Sequence, residues 1–186
     1  GEAQQAFLTQ ETGMIIYSTS SIAPMKQGAA DNGFELDTAF MPSPGGDRTG
    51  LPIGGASLWV PQGLSDAQQQ AAGELLLYMT QPEQQATWHT GTGYFPVREE
   101  SITQLEDDGF YEENPSFRTA IDQLNETEST PATSGALMGP FPEVRTIIEE
   151  GYVEMIQNEG TDVASALEDV KSDADSAIQS YNDRVS

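Results

Sequence analysis

Apolar residues recur at helical spacing through most of this chain and gather into short extended runs at only three places. After Ser65-Asp66-Ala67-Gln68, a capping-box sequence, Ala72, Leu75, Leu76 and Met79 follow at intervals that put them on one helix face. Glu143 to Gln157 presents Val144, Ile147, Ile148, Tyr152 and Met155 on one side. The last segment carries Val163, Ala166, Leu167, Val170, Ala174, Ala177, Ile178, Tyr181 and Val185 in near-continuous register. Further helices are predicted over Ala3 to Gln10, Ser21 to Asn32 with Pro24 in its first turn, Pro82 to about Gly91, Glu99 to Asp108, and Pro115 to Asn125. The three extended runs, Met14 to Tyr17, Leu36 to Met41 and Ile53 to Val60, are predicted strands, the first of them buried. Pro42 to Pro52 and Thr127 to Pro142 are rich in Pro, Gly, Ser and Thr and are predicted loops. Short apolar strands alternating with helices predict an α/β arrangement.

Charge changes the picture next. Seven basic residues face thirty acidic ones, a formal net charge of −23. Such an excess repels itself in a compact state unless salt screens it. The apolar content of 37% exceeds that of a disordered acidic chain, so the composition is that of a folded, acidic protein adapted to high salt, as in a halophile. An acidic protein working at ordinary salt is the other reading. Nucleic acid and anionic membrane surfaces are poor partners for such a surface, because like charges repel. There is no cysteine, so neither disulfides nor thiolate chemistry contributes. No apolar run reaches the length of a membrane span, and Gly1-Glu2-Ala3-Gln4 shows no signal-peptide pattern.

Three stretches stand apart from this periodic background. Pro52-Ile53-Gly54-Gly55-Ala56-Ser57-Leu58-Trp59-Val60 opens an apolar run with two glycines, backbone that another group can approach closely because no Cβ intervenes. Trp88-His89-Thr90-Gly91-Thr92-Gly93-Tyr94-Phe95-Pro96-Val97 follows, and then Pro142-Glu143-Val144-Arg145. With the smaller run Gly109-Phe110-Tyr111-Glu112-Glu113-Asn114-Pro115, this ordered set resembles the C-terminal half of family 1 extracellular solute-binding proteins of ABC importers, in particular members that take glycerol-3-phosphate. The resemblance implies a type II periplasmic-binding-protein-like α/β fold, here the C-terminal portion, helix-rich with few strands. It implies that residues 1–40 and 97–186 belong to the C-terminal lobe and 43–93 to the N-terminal lobe, the chain crossing near 41–42 and 94–96. The export signal, a lipid anchor and the remainder of the N-terminal lobe would lie upstream, and the protein would work in the periplasm or on the extracellular face of the membrane.

Arg145 is the sharpest candidate on chemical grounds. It falls in the first turn of a predicted helix, where a cation is disfavoured unless an anion is near, and a guanidinium forks onto phosphate or carboxylate. An ion pair with Glu143 or Glu149 accounts for it equally well. Ser18 closes a predicted strand ahead of a helix start, where a hydroxyl either caps the helix or helps hold an anion. The resemblance implies that Ser18, the Gly55 backbone N–H, the Tyr94 phenol and Arg145 contact the ligand; a one-residue slip would move the serine's role to Thr19. It implies glycerol-3-phosphate or a glycerophosphodiester as ligand, with a neutral sugar as the alternative, and the ABC permease as partner. No cofactor, metal or catalytic residue is implied, and the chain reads as a non-enzyme. His89, the lone histidine, is expected to pack structurally, and Trp59, Trp88, Phe110 and Tyr111 to be core or lobe-packing aromatics. A carboxylate-pair hydrolase is the rival class, and most of the acids fall instead on periodic polar faces.

Overall fold

The computed structural model describes residues 1–43 and 50–186. Residues 44–49, the middle of the loop expected over Pro42 to Pro52, lie outside the described residues. Among the described residues the regular elements are helices: α1 (Glu2–Leu8), α2 (Ile22–Asp31), α3 (Asp66–Met79), α4 (Pro82–Thr92), α5 (Glu99–Asp107), α6 (Phe110–Glu113), α7 (Pro115–Glu126), α8 (Phe141–Gln157) and α9 (Val163–Val185). A 3-10 turn, Thr19–Ser21, leads into α2. The chain divides into two compact units, Gly1–Ser134 and Gly135–Ser186.

In the first unit the helix limits follow local chemistry. Ser65 and Gln68 satisfy each other's backbone N–H groups at the start of α3, with Ser65 N–H donating to Gln68 Oε1 at 3.0 Å. Proline opens α4 and α7, where its missing N–H costs nothing. Gly93 ends α4 with φ +112°. The core gathers Ile22 of α2, Ala86 of α4, Leu105 of α5, Tyr111 of α6, and Phe117 and Ile121 of α7, with Phe95, Ile102 and Phe110 packed against it. The rings of His89, Phe110, Tyr111 and Phe117 cluster there, most pairs edge to face, with centroids 5.2 Å apart for Phe110 and Phe117 and 5.5 Å for His89 and Phe117.

The three expected strands are not strands among the described residues. Met14 to Tyr17 forms no regular element and is not buried: Met14 is 86% exposed. Ile53 to Val60 likewise has no regular structure, and Trp59, expected as a core or lobe-packing aromatic, is 86% exposed among the described residues. A strand is defined by its ladder, and an apolar run with no neighbour to exchange N–H and C=O with stays open backbone. Leu36 to Met41 is held differently, against a helix. Thr38 Oγ1 donates to the Ser116 carbonyl at 3.0 Å, and the Met41 N–H donates to Gln123 Oε1 at 3.2 Å. The run Gly109 to Asn114, for which no helix is predicted, contains the short helix α6.

The second unit is a helical hairpin. Asp162 caps α9 by accepting from the Ala164 and Ser165 N–H groups. Gly139 faces Tyr181 and Gly151 faces Val170, so the register runs antiparallel. Both glycines lie where a Cβ would overlap the facing side chain, so Gly151 sets how closely α8 approaches α9 and Gly139 lets the turn before α8 lie against Tyr181.

Candidate ligand-binding site

Ser18 stands at the N-cap of the 3-10 turn with its backbone extended. Its Oγ lies 2.9 Å from Ser20 Oγ and accepts weakly from the Ser20 N–H at 3.4 Å. The hydroxyl cluster is exposed, so it keeps lone pairs and protons that a ligand can use. Tyr94 follows Gly93 at the end of α4. Its N–H donates to Thr92 Oγ1 at 3.1 Å, and its ring, 40% exposed, leans on Trp88 with centroids 6.4 Å apart.

The structure brings these two stretches together. A Cβ built on Gly93 would overlap the Thr19 carbonyl oxygen and come within 3.0 Å of Ile22 Cβ. The turn carrying Ser18 therefore sits directly against the loop carrying Tyr94. Gly55 is not part of this juncture: a Cβ built on it meets no atom within 4 Å, so the close approach its Gly-Gly pair suggested is not made by any described residue.

Arg145 belongs to the other unit and, because α8 begins at Phe141 rather than Glu143, lies on the second turn of that helix and not on the first turn expected from sequence. Its side chain is 69% exposed, and its Nε donates to Glu149 Oε1 at 2.9 Å. The ion pair that sequence offered as the alternative is thus present. It is a solvated helical pair of the kind worth ~0.3–0.5 kcal/mol, which an anionic ligand can displace.

His89 was expected to be structural, and its surroundings are more specific than packing. It is 1% exposed, with Nδ1 2.7 Å from the Tyr94 carbonyl and Nε2 3.2 Å from the Tyr111 hydroxyl. Burial pushes its pKa below the usual imidazole range, against the opposing pull of the Tyr94 carbonyl. Burial also pushes the Tyr111 phenol up to about 12, partly offset by the Arg118 guanidinium, which lies 5.4 Å from that ring. Arg118 in turn binds Asp122 at 2.6 Å and Glu106, and these hydrogen bonds raise its own pKa. Sequence reasoning passed over Arg118, whose spacing to Asp122 was the available signal. Among the described residues no three His, Asp or Glu side chains converge as a metal site, and no helix is long and apolar enough to cross a membrane.

Comparison with known proteins gives this geometry a context. Residues 1–119 match the family described as bacterial extracellular solute-binding protein. The chain is 33% identical over 153 residues to the sn-glycerol-3-phosphate-binding periplasmic protein UgpB of Pectobacterium atrosepticum, covering 80% of this chain and 34% of that protein. It is 32% identical to UgpB of Escherichia coli K12 with the same coverage. The chain thus spans about a third of the length of these relatives. Its structure superposes on UgpB of Mycobacterium tuberculosis, crystallised in complex with glycerophosphocholine, with a TM-score of 0.75 at 27% identity, over 96% of this chain and 43% of the other. The helix-rich α/β architecture expected from sequence is therefore that of a portion of a periplasmic binding protein, and the chain belongs to the bacterial extracellular solute-binding protein family.

Proposed function

We propose that this chain is the C-terminal portion of the solute-binding component of an ABC import system. It captures glycerol-3-phosphate or a glycerophosphodiester between two lobes and hands it to the permease. The observation that carries this reading is its likeness, along nearly the whole chain, to a protein crystallised with glycerophosphocholine. The juncture of the Ser18 turn with the Tyr94 loop supports it, because an exposed hydroxyl cluster on a turn packed against the backbone that carries an exposed tyrosine suits a phosphate and its ester oxygens. Arg145 and the Gly55 backbone N–H are added as ligand contacts on the family resemblance alone, the solvated Arg145–Glu149 pair being one that an anion can replace. Binding here makes and breaks no bond. The protein works in the periplasm or on the extracellular face of the membrane.

Residues 1–40 and 97–186 are assigned to one lobe and 43–93 to the other, with crossings near 41–42 and 94–96. The exposure of Leu58, Trp59, Leu75, Leu77 and Tyr78 supports this, since a segment so apolar and so uncovered suits a face that the rest of a longer protein covers. Within 43–93, helix α4 turns Ala86 and His89 toward α2 and α5–α7, the elements assigned to the other lobe, and so the two segments share a core there.

Calorimetric titration of the full-length protein with glycerol-3-phosphate tests the reading. Tight binding without turnover is expected, and Arg145→Ala should raise Kd by about tenfold or more, the loss of a charge-assisted hydrogen bond. An unchanged Kd removes Arg145 from the site. Because Glu149 already satisfies the guanidinium, a neutral sugar is the second reading, and binding of a disaccharide in place of the phosphate ester would establish it.

A further inference from the structure

Resting on the reading that Tyr94 contacts ligand, we propose that His89 is its positioning residue: the imidazole holds the Tyr94 carbonyl through Nδ1 and is itself held at Nε2 by the Tyr111 hydroxyl. The chemistry at the two ring nitrogens fixes each role. The Tyr94 carbonyl can only accept, so Nδ1 carries the proton of that 2.7 Å bond. In the neutral ring Nε2 then has a lone pair and no proton, so across 3.2 Å the Tyr111 O–H donates to it. Burial favours the neutral imidazole and the protonated phenol, the two states this relay requires.

The ring has little freedom to turn. Phe110, Tyr111 and Phe117 surround it at centroid distances of 6.2, 5.7 and 5.5 Å. At 1% exposure His89 lies out of a ligand's reach, so its effect passes through Tyr94. The Tyr94 backbone is thereby tied at both ends, its N–H to Thr92 Oγ1 and its C=O to His89, while the preceding Gly93 abuts Thr19. A phenol presented from a fixed backbone loses less freedom when it binds. A phenylalanine at position 89 would fill the same space and leave both the Tyr94 carbonyl and the Tyr111 hydroxyl without the imidazole.

The test uses the full-length protein titrated calorimetrically with glycerol-3-phosphate, reading Kd and stoichiometry separately. His89→Phe is expected to raise Kd about tenfold at unchanged stoichiometry, the cost of one lost buried hydrogen bond. His89→Asn, whose amide N–H can stand in for Nδ1–H, is expected to recover most of that loss. A lowered stoichiometry with wild-type Kd in His89→Phe would mean a purely structural histidine and overturn the proposal. So would an asparagine variant no better than phenylalanine. Tyr94→Ala separates the layers. If it loses affinity while His89→Phe does not, the positioning role alone falls; if it binds as wild type, the Tyr94 assignment falls and takes the positioning role with it. A wild-type protein that binds neither glycerol-3-phosphate nor glycerophosphocholine overturns both. Should the position-89 variants fail to fold, nitrogen NMR of the wild-type imidazole decides. A neutral ring protonated at Nδ1 and bare at Nε2 supports the relay, and the opposite tautomer overturns it.

Discussion

Gly93 lies with its Cα against the main-chain carbonyl of Thr19, in a space where no side chain fits. This pairing joins residues more than seventy positions apart and puts the end of α4 on the turn that starts α2. Gly93 also holds φ at +112°, a conformation that L side chains rarely adopt. One residue thus meets two independent demands, and the loop that follows it begins with Tyr94.

Gly93→Ala should consequently be among the most damaging small substitutions in the first unit. The left-handed backbone alone costs about 1–2 kcal/mol, and overlap with a main-chain oxygen adds a further ~1–3 kcal/mol because that atom cannot rotate away. Urea denaturation should show a midpoint lowered accordingly. A variant with the wild-type midpoint would mean that the Thr19 contact yields freely.

Stability should depend on pH through His89. Its folded pKa is below the ordinary value of about 6.5, so between the two values the unfolded chain binds more protons. The contribution is complete above about pH 6.5 and is lost as pH falls toward the depressed folded value. The cations facing this cluster are Arg118, over the Tyr111 ring, and Lys26, 5.8 Å from the Phe117 centroid. The Tyr111 phenol, at about 12, keeps its proton throughout. Urea midpoints should therefore fall between about pH 7.5 and about pH 5.5, above the range near 4 where ordinary carboxylates titrate. His89→Phe should flatten that slope, and an equal slope in the variant would assign it elsewhere.

Apart from the four-residue α6, the helices were legible in the sequence because each carries its own period and its own punctuation. Ser65 with Gln68, Pro82, Pro115 and Asp162 act within a few residues of themselves, and the observed limits fall within about two residues of those expected. Strands were not legible in the same sense. Met14 to Tyr17 and Ile53 to Val60 have the composition of strands, but a ladder requires a second backbone that composition does not specify. The site divides along the same line. Ser18 and Tyr94 could be named from local motifs, whereas their meeting through Gly93 and Thr19 is a property of tertiary packing. His89 was legible as buried but not as a link between Tyr94 and Tyr111, since neither partner lies at a spacing that announces contact.

The α8–α9 hairpin offers a test independent of the site. A Cβ on Gly151 would overlap Val170 Cγ2, the end of a β-branched side chain with one favoured rotamer in a helix. Gly151→Ala gains ~1 kcal/mol of helix propensity and loses about 1–3 kcal/mol by overpacking, so the net change should be destabilising or near zero. Gly151→Ala combined with Val170→Ala removes the overlap and should recover the propensity gain. Circular dichroism melts of the two variants check this; a stabilised single variant would show that the helices simply separate.

Salt should stabilise the whole chain. Among the described residues, exposed pairs such as Arg98 with Glu100, Arg145 with Glu149 and Lys171 with Asp175 are worth roughly 0.2–1 kcal/mol each, and screening removes little when it weakens them. Against them stands a net charge of −23, whose mutual repulsion acts over the Debye length, about 10 Å at 0.1 M salt and about 3 Å at 1 M. The repulsive sum is the larger quantity, so screening it should win. The melting temperature of the full-length protein should rise by about 5 °C or more between about 0.1 M and about 2 M potassium chloride, a shift of ordinary size for a change of a kilocalorie or two. Reversing a few surface acids to lysine should reduce that dependence in proportion to the charge removed. A melting temperature indifferent to salt would show that the carboxylates are far enough apart in the folded chain to ignore one another.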